Sequence, residues 1–400
     1  MTQKTLYLVA GARPNFMKLA PMVRALAARR DAFDARIVHT GQHYDREMSD
    51  VFFQELGIPQ PDHHLGAGGG THAQQTARVM EAFEALCMQA RPDAVVVVGD
   101  VNSTLACSIV AKKLGIPVAH VEAGLRSGDR SMPEEINRLV TDAISDWFFV
   151  TEPSGEENLL REGKPPAAVH HVGHVMVDNV LFQRDLLDRA PLAEGTSLAF
   201  KAAHARYGVV TLHRPATVDD AAVFARVAGA LRDVSADLPL VFPVHPRTRA
   251  NLERFGLDLG PRVALLPPLG YMEFLNLWKD AAVVLTDSGG LQEETTALGV
   301  PCLTLRENTE RPVTVSEGTN VLVGSDAAAI RREVARVMRG EGKRGRRPAL
   351  WDGRAAERTV EILAREMHAG TSASPADAAK RDENEQPTER PTEQSTRAIP

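Results

Sequence analysis

Cysteine is scarce in this chain. The 400 residues hold three, Cys87, Cys107 and Cys302, each among apolar neighbours and none in a CxxC or Cys/His spacing, which argues against a disulfide framework or a cysteine-ligated zinc site. Long hydrophobic runs are missing too. The longest, such as AVVVV at 94–98, are of strand length and far short of a membrane span. The N-terminal LYLVA is too brief, and too soon followed by Gly11 and Arg13, to act as a signal peptide. A cytoplasmic protein is expected. There is no long basic run, and the formal net charge is −6, so nothing in the composition attracts nucleic acid or an anionic membrane surface. Any positive potential must be local. Clustered metal ligands are absent from the sequence, and the first strand-to-helix turn, GARP, lacks a GxGxxG fingerprint, so neither a metal nor a dinucleotide cofactor is expected.

What is present is ordinary for a globular protein: 44% hydrophobic and 24% charged residues, in a chain long enough for two domains with separate cores. Short β-branched runs alternate with helical patterns. Strands are expected near 5–10, 35–40, 94–98, 117–121 and 146–150, then near 207–211, 240–243, 263–266, 281–286, 302–305 and 321–323. This is the rhythm of a doubly wound parallel sheet, and it occurs twice. The expected domains are 1–173 and 174–350, with a helix at 351–368. Residues 369–400 are expected to be disordered, because from 371 onward Ile399 is the one large apolar residue among Pro, Thr, Glu, Gln and Arg.

The most informative stretch is LTDSGGLQEET, Leu285 to Thr295, in which an apolar strand runs into a Ser-Gly-Gly turn that opens a helix. Small residues let the backbone approach a ligand. The N–H groups of Ser288, Gly289 and Gly290 are left over by the first helical turn, and the positive end of the helix dipole favours an anion, so the segment suits a diphosphate. Glu294 would lie one turn further on, where a carboxylate can accept hydrogen bonds from ribose hydroxyls. The plainer reading is a strand-to-helix connection with glycines for packing.

Open α/β sheets bind ligands at the carboxyl ends of their strands, so polar residues directly after apolar strands are the next candidates. GARPNFMKLAP places Arg13 and Lys18 at a helix start, where an arginine can reach a phosphate or a base carbonyl. AVVVVGDVNST places Asp100 just past a buried strand, either facing a ligand or capping the helix that starts near Ser103. PVAHVEAGLRSGDRSMPEEINRLVTD carries His120, Glu122, Arg126, Asp129, Glu134, Glu135 and Arg138. Glu122 ends a strand and must be paired or have its pKa raised if it faces a cleft. Pro133 fits a first helical turn, where Glu134 and Glu135 would be stabilised by the dipole. VVTLHRP puts His213 and Arg214 after the first strand of the second half, and PVHPRTR puts His245 after another. Tyr271 and Phe274 could stack on a base, and Arg306, Glu310 and Arg311 follow the seat.

The runs GARPNFMKLAP, TGQH (40–43), GDVNST, HVEAGLRSGD with PEE and NR, VGHVMVDN, HRP, DSGGLQEET and ERPVTVSEGTN, in this order and spacing, resemble the non-hydrolysing UDP-N-acetylglucosamine 2-epimerases, over about residues 3–365. The resemblance implies a GT-B-type fold, two Rossmann-like domains facing across a cleft, with the C-terminal helix crossing back to the first, and a homodimer. It implies a UDP-sugar substrate and no cofactor. UDP would leave C1 as the C2 proton is taken, giving 2-acetamidoglucal, and would add back after a proton returns to the other face. Asp100, Glu122 and Glu134 would be the catalytic carboxylates and His213 a catalytic donor beside the diphosphate. Arg13, Lys18, His245, Ser288, Gly289, Gly290, Glu294 and Arg311 would bind substrate, with Phe274 near the uracil.

Some residues depart from the pattern. Asn15 stands where many members have a carboxylate, Tyr44 and Asp45 intervene after TGQH near a second nucleotide-sugar site of some bacterial relatives, and GDRSMPEE differs from the common tract. A related branch epimerises UDP-2,3-diacetamido-2,3-dideoxyglucuronate, whose carboxylate would need a cation, for which Arg126 and Arg130 are candidates. A GT-B glycosyltransferase or a hydrolysing epimerase would share the fold and the seat for UDP.

Overall fold

The computed structural model describes residues 3–11, 13–41, 53 and 55–369, except for the side chains at 13, 14 and 369. The expected disordered tail, and the stretch around Tyr44 and Asp45, lie outside the described residues.

Two parallel sheets form the frame. The first contains β1 (Lys4–Ala10), β2 (Phe33–His39), β3 (His63–His64), β4 (Ala94–Val98), β5 (Val118–Val121), β6 (Trp147–Val150) and β7 (Val169–His171), in the spatial order β3-β2-β1-β4-β5-β6-β7. The second contains β8 (Gly208–Thr211), β9 (Leu240–Pro243), β10 (Val263–Leu266), β11 (Val283–Thr286), β12 (Cys302–Thr304) and β13 (Asn320–Leu322), in the order β10-β9-β8-β11-β12-β13. Both are doubly wound α/β sheets, as the alternating pattern implied. β4 lies at the centre of its sheet and is buried at every position, which is why an unbroken β-branched run suits it. The eleven expected strands are present with ends shifted by a few residues, and two short edge strands, β3 and β7, are additional. Their sequences, HH and VHH, are too short and too polar to show an apolar period.

In each sheet the chain winds outward from a central pair, and a crevice opens where the direction reverses. The reversal falls between β1 and β4 in the first sheet and between β8 and β11 in the second. The segments leaving those four strands begin at Gly11, Gly99, Leu212 and Asp287, so the runs singled out in the sequence meet at the two reversal points. Asn15, the departure in the first helix, is buried and donates through Nδ2 to the Val98 carbonyl at 3.0 Å, tying that helix to the end of β4. A carboxylate could not make that donation.

The halves are joined by two chain crossings. The first enters the helix Val175–Arg189, which packs against both the helix Arg13–Ala27 and the helix Gly289–Leu298. The second runs back through Trp351, whose Nε1 donates to the Thr151 carbonyl at 2.9 Å, to the helix Ala355–Ala369. The N–H of Ala356 in its first turn donates to Asp178 at 2.7 Å. The crossings touch. Gly173, at φ +90°, is packed so closely that a Cβ there would fall 2.0 Å from the Leu350 carbonyl oxygen.

Candidate functional site

A cleft of about 680 Å³ is lined by residues from both halves. On the side of the first sheet, Asp100 follows β4. The helix Asn102–Lys113 is entered through Val101 with no side-chain cap, so Asp100 does not act as the capping residue that the sequence left open. It is held instead by Arg138, whose Nε donates to its Oδ2 at 2.9 Å. Arg138 also pairs with Glu135, and that carboxylate accepts the N–H groups of Ser127 at 3.0 Å and Gly128 at 3.1 Å. The strand-exit loop and Asp100 thus share one buried guanidinium. Glu134, its neighbour in the first turn of the helix Pro133–Ile144, is exposed and lines the cleft.

Glu122 is elsewhere. It is 2% exposed and does not line the cleft among the described residues. Its backbone holds φ +70°, a left-handed conformation that costs a non-glycine residue roughly 1–2 kcal/mol. Its carboxylate pairs with Lys18 of the first half and with Arg311 of the second, the latter at 3.0 Å. Arg311 also pairs with Glu293, which in turn lies 2.8 Å from Nε2 of His174. Burial alone would raise Glu122, but Lys18 and Arg311 outweigh it and hold the carboxyl below its ordinary range. Glu293 is lowered in the same way, with Arg311 and His174 overcoming burial. The guanidinium of Arg311, despite burial, is raised by Glu293, Glu122 and Glu310. This is a charged network between the two sheets, with Lys18 and Arg311 at the cleft wall.

On the other side, Ser288 is the N-cap residue of the helix Gly289–Leu298, and no side chain caps that helix. Of the three N–H groups expected to be free, that of Ser288 is taken, donating to Thr286 Oγ1 at 2.9 Å. Gly290 has nothing within 4 Å of where a Cβ would stand, leaving room for a ligand to approach the helix start. Arg214 reaches Glu310 at 3.4 Å, and Glu310 is held below the usual carboxylate range because Arg311, Arg306 and Arg214 overcome its burial. His213 lines the cleft with Nδ1 lying 3.1 Å from Asp287.

Glu294 is buried at the cleft wall and accepts a hydrogen bond from the Tyr271 hydroxyl at 3.2 Å. Tyr271, expected as a stacking partner, therefore has a polar contact to this carboxylate. Burial pushes Glu294 up from 4.5 to about 8, with the nearby Glu293 charge adding to the shift and the Tyr271 hydroxyl opposing it. The folded state therefore keeps a proton that the unfolded chain releases near pH 4.5, and its stability falls as pH rises from about 4.5 to 8. Glu294→Gln should cancel that decline. Urea unfolding should show the variant gaining on the wild type as pH rises through this window, and parallel pH curves would refute the shift.

Ten of the thirteen residues given a role by the resemblance line the cleft: Lys18, Asp100, Glu134, His213, Phe274, Ser288, Gly289, Gly290, Glu294 and Arg311. His245 is not among them. It is exposed and accepts through Nδ1 from the Arg247 N–H at 3.3 Å as the cap of its own helix. The side chain of Arg13 lies outside the described residues. His120 is in the core, paired with Asp142 at 2.6 Å. Arg126 is held by Asp142 and Glu162 at 2.8 and 2.7 Å. Asp287, Glu293 and His174 were missed by the sequence reading. Asp287 obeys the rule that found Asp100, a polar residue directly after an apolar strand, and Glu293 immediately precedes Glu294 in the stretch singled out as most informative.

Two doubly wound sheets, with carboxylates at one reversal point and an uncapped helix start at the other, define an α/β protein of the class that holds its ligand at the strand ends between them. Comparison with known proteins narrows this class. The family model described as UDP-N-acetylglucosamine 2-epimerase matches residues 24–364, and the chain belongs to that isomerase family. It is 40% identical over 366 residues to the UDP-N-acetylglucosamine 2-epimerase of Methanocaldococcus jannaschii, covering 90% of this chain and 98% of that one. It is 41% identical over 360 residues to the UDP-2,3-diacetamido-2,3-dideoxy-D-glucuronate 2-epimerase of Pseudomonas aeruginosa, covering 89% and 98%. The crystal structure of the Methanocaldococcus jannaschii enzyme in complex with UDP-GlcNAc and UDP superposes with a TM-score of 0.80 at 39% identity, covering 90% of this chain and 99% of that one.

Proposed function

We propose that the protein interconverts UDP-N-acetylglucosamine and UDP-N-acetylmannosamine, supplying precursors for surface polysaccharide. The supporting observation is the convergence of Asp100 and Glu134 from one sheet with His213 and the Ser288–Gly290 helix start from the other on a single cleft. The C2 proton of the sugar is not acidified by a carbonyl. It is removed as the C1–O bond breaks, the bond electrons leaving with UDP and the C–H pair forming the double bond of 2-acetamidoglucal. Return of a proton to the other face of C2, with UDP adding back at C1, completes epimerisation. Two faces need two acid/base groups, and Asp100 and Glu134 are assigned to them. The preorganised donors His213, Lys18 and Arg311 stabilise the departing diphosphate, and Glu122 acts through the last two. Phe274 stands beside the uracil and Glu294 beside the ribose.

The Pseudomonas aeruginosa relative favours a second substrate, a diacetamido uronate. Its extra carboxylate needs an unengaged cation. Lys18, Arg138, Arg214 and Arg311, the lysine and arginines among the described residues lining the cleft, are each paired with a carboxylate, and Arg126 is held elsewhere. Arg130, the other candidate, is exposed and is not among the residues lining the cleft, so the neutral sugar fits better. Incubation with each UDP-sugar in deuterium oxide, followed by proton NMR, tests the assignment: epimer formation with deuterium at C2 is expected from UDP-N-acetylglucosamine. Turnover of the uronate alone, or release of free sugar, would overturn it. Activity should persist in EDTA and without added nicotinamide. Loss restored by a divalent ion would refute that expectation.

No helix among the described residues is long and apolar enough to cross a membrane. The functional reading includes a cytoplasmic location and, from the family resemblance, a homodimer.

A further inference from the structure

The strand β11 ends at Thr286, paired with Thr211 at the end of β8. Asp287 therefore emerges beside the turn that carries His213 and Arg214. Its side chain is fully buried, and its oxygens accept the N–H of His213 at 3.0 and 3.2 Å and the N–H of Arg214 at 2.9 Å. Those backbone bonds already satisfy a buried carboxylate. The additional contact, Oδ1 to Nδ1 of His213 at 3.1 Å, is to a ring whose side chain is 45% exposed and lines the cleft. The protein holds a second pair of this kind, His120 with Asp142, in which both side chains are buried and the other ring nitrogen, Nε2, is spent on the Gly99 carbonyl at 2.9 Å. In the His213 pair, Nε2 is the nitrogen left for a ligand.

We propose that Asp287 is a positioning residue for His213, fixing the imidazole with Nδ1 as donor and Nε2 toward the diphosphate. The inference rests on the functional reading above. As the C1–O bond breaks, negative charge grows on the UDP oxygen. A ring whose Nδ1 is held by a buried carboxylate keeps Nε2 facing that oxygen without having to choose between ring orientations. Asp287 also precedes Ser288 directly, so the segment that orients the ring opens the anion seat.

The test is a double-mutant cycle with Asp287→Asn and His213→Asn. The amide can keep accepting the backbone N–H groups while losing the charge that holds Nδ1–H. Asp287→Asn should lower kcat at least about tenfold with little change in KM, and should cost almost nothing further in the His213→Asn background. A double variant whose loss is the product of the two single losses would show that Asp287 acts independently of the ring, and a fully active Asp287→Asn would overturn the proposal. Melting temperatures of all four proteins separate folding from function. Nitrogen-15 imidazole spectra provide a readout independent of turnover: Nδ1 of His213 should carry the signature of a nitrogen hydrogen-bonded to a carboxylate in the wild type and lose it in Asp287→Asn. An unchanged Nδ1 resonance would refute the inference. A wild type that does not epimerise would instead refute the functional reading.

Discussion

Replacing Asp100 or Glu134 by its amide is expected to lower turnover about a hundredfold or more while UDP still binds. Both changes preserve shape and remove a proton acceptor. In Asp100→Asn, Arg138 keeps its pairing with Glu135, so the loop anchored through Ser127 and Gly128 should stand. Glu134 is exposed, so its amide should cost little stability. The helix start proposed to hold UDP, at Ser288–Gly290, is more than a hundred residues away in the chain. Steady-state rates and calorimetric titration with UDP separate the effects. Near wild-type turnover in both variants would remove the acid/base assignment.

Arg311→Met is expected to destabilise the fold by about 3–5 kcal/mol, the usual cost of leaving buried ion partners uncompensated. Glu122 would keep Lys18, but Glu293 would retain only His174 among its pairing partners. The pH dependence has a definite sign. In the wild type both carboxyls are lowered, so their contribution is present above the unfolded value of 4.5 and is lost as pH falls below it. Without Arg311 burial raises them instead, and protonation relieves the variant, so its deficit should narrow as pH falls from neutral toward 5. Denaturant unfolding at several pH values measures this. A variant as stable as the wild type at neutral pH would show that the network contributes nothing to folding.

The sequence made the sheets legible because β-branched strands covered on both faces leave unbroken apolar runs, as in β4 and β11. It did not reveal β3 and β7, where two or three residues cannot display a period. Individual site residues were legible by position, since Asp100, His213 and Ser288 each follow a strand closely. Their partners were not. Arg138 meets Asp100 from 38 residues away, His213 meets Asp287 across 74, and Arg311 meets Glu122 across 189. These pairings are made by strand order and by the folding of one half onto the other, and neither leaves a local pattern. His245 shows the opposite limit: it follows a strand as His213 does, yet it caps its own helix on the exposed surface.

Gly173 and Leu350 bring the two covalent connections between the sheets into contact. The two connections therefore share one packing point: a side chain at 173 would press on the chain entering the helix Val175–Arg189 and on the chain returning through Leu350 together, so neither crossing can be altered alone.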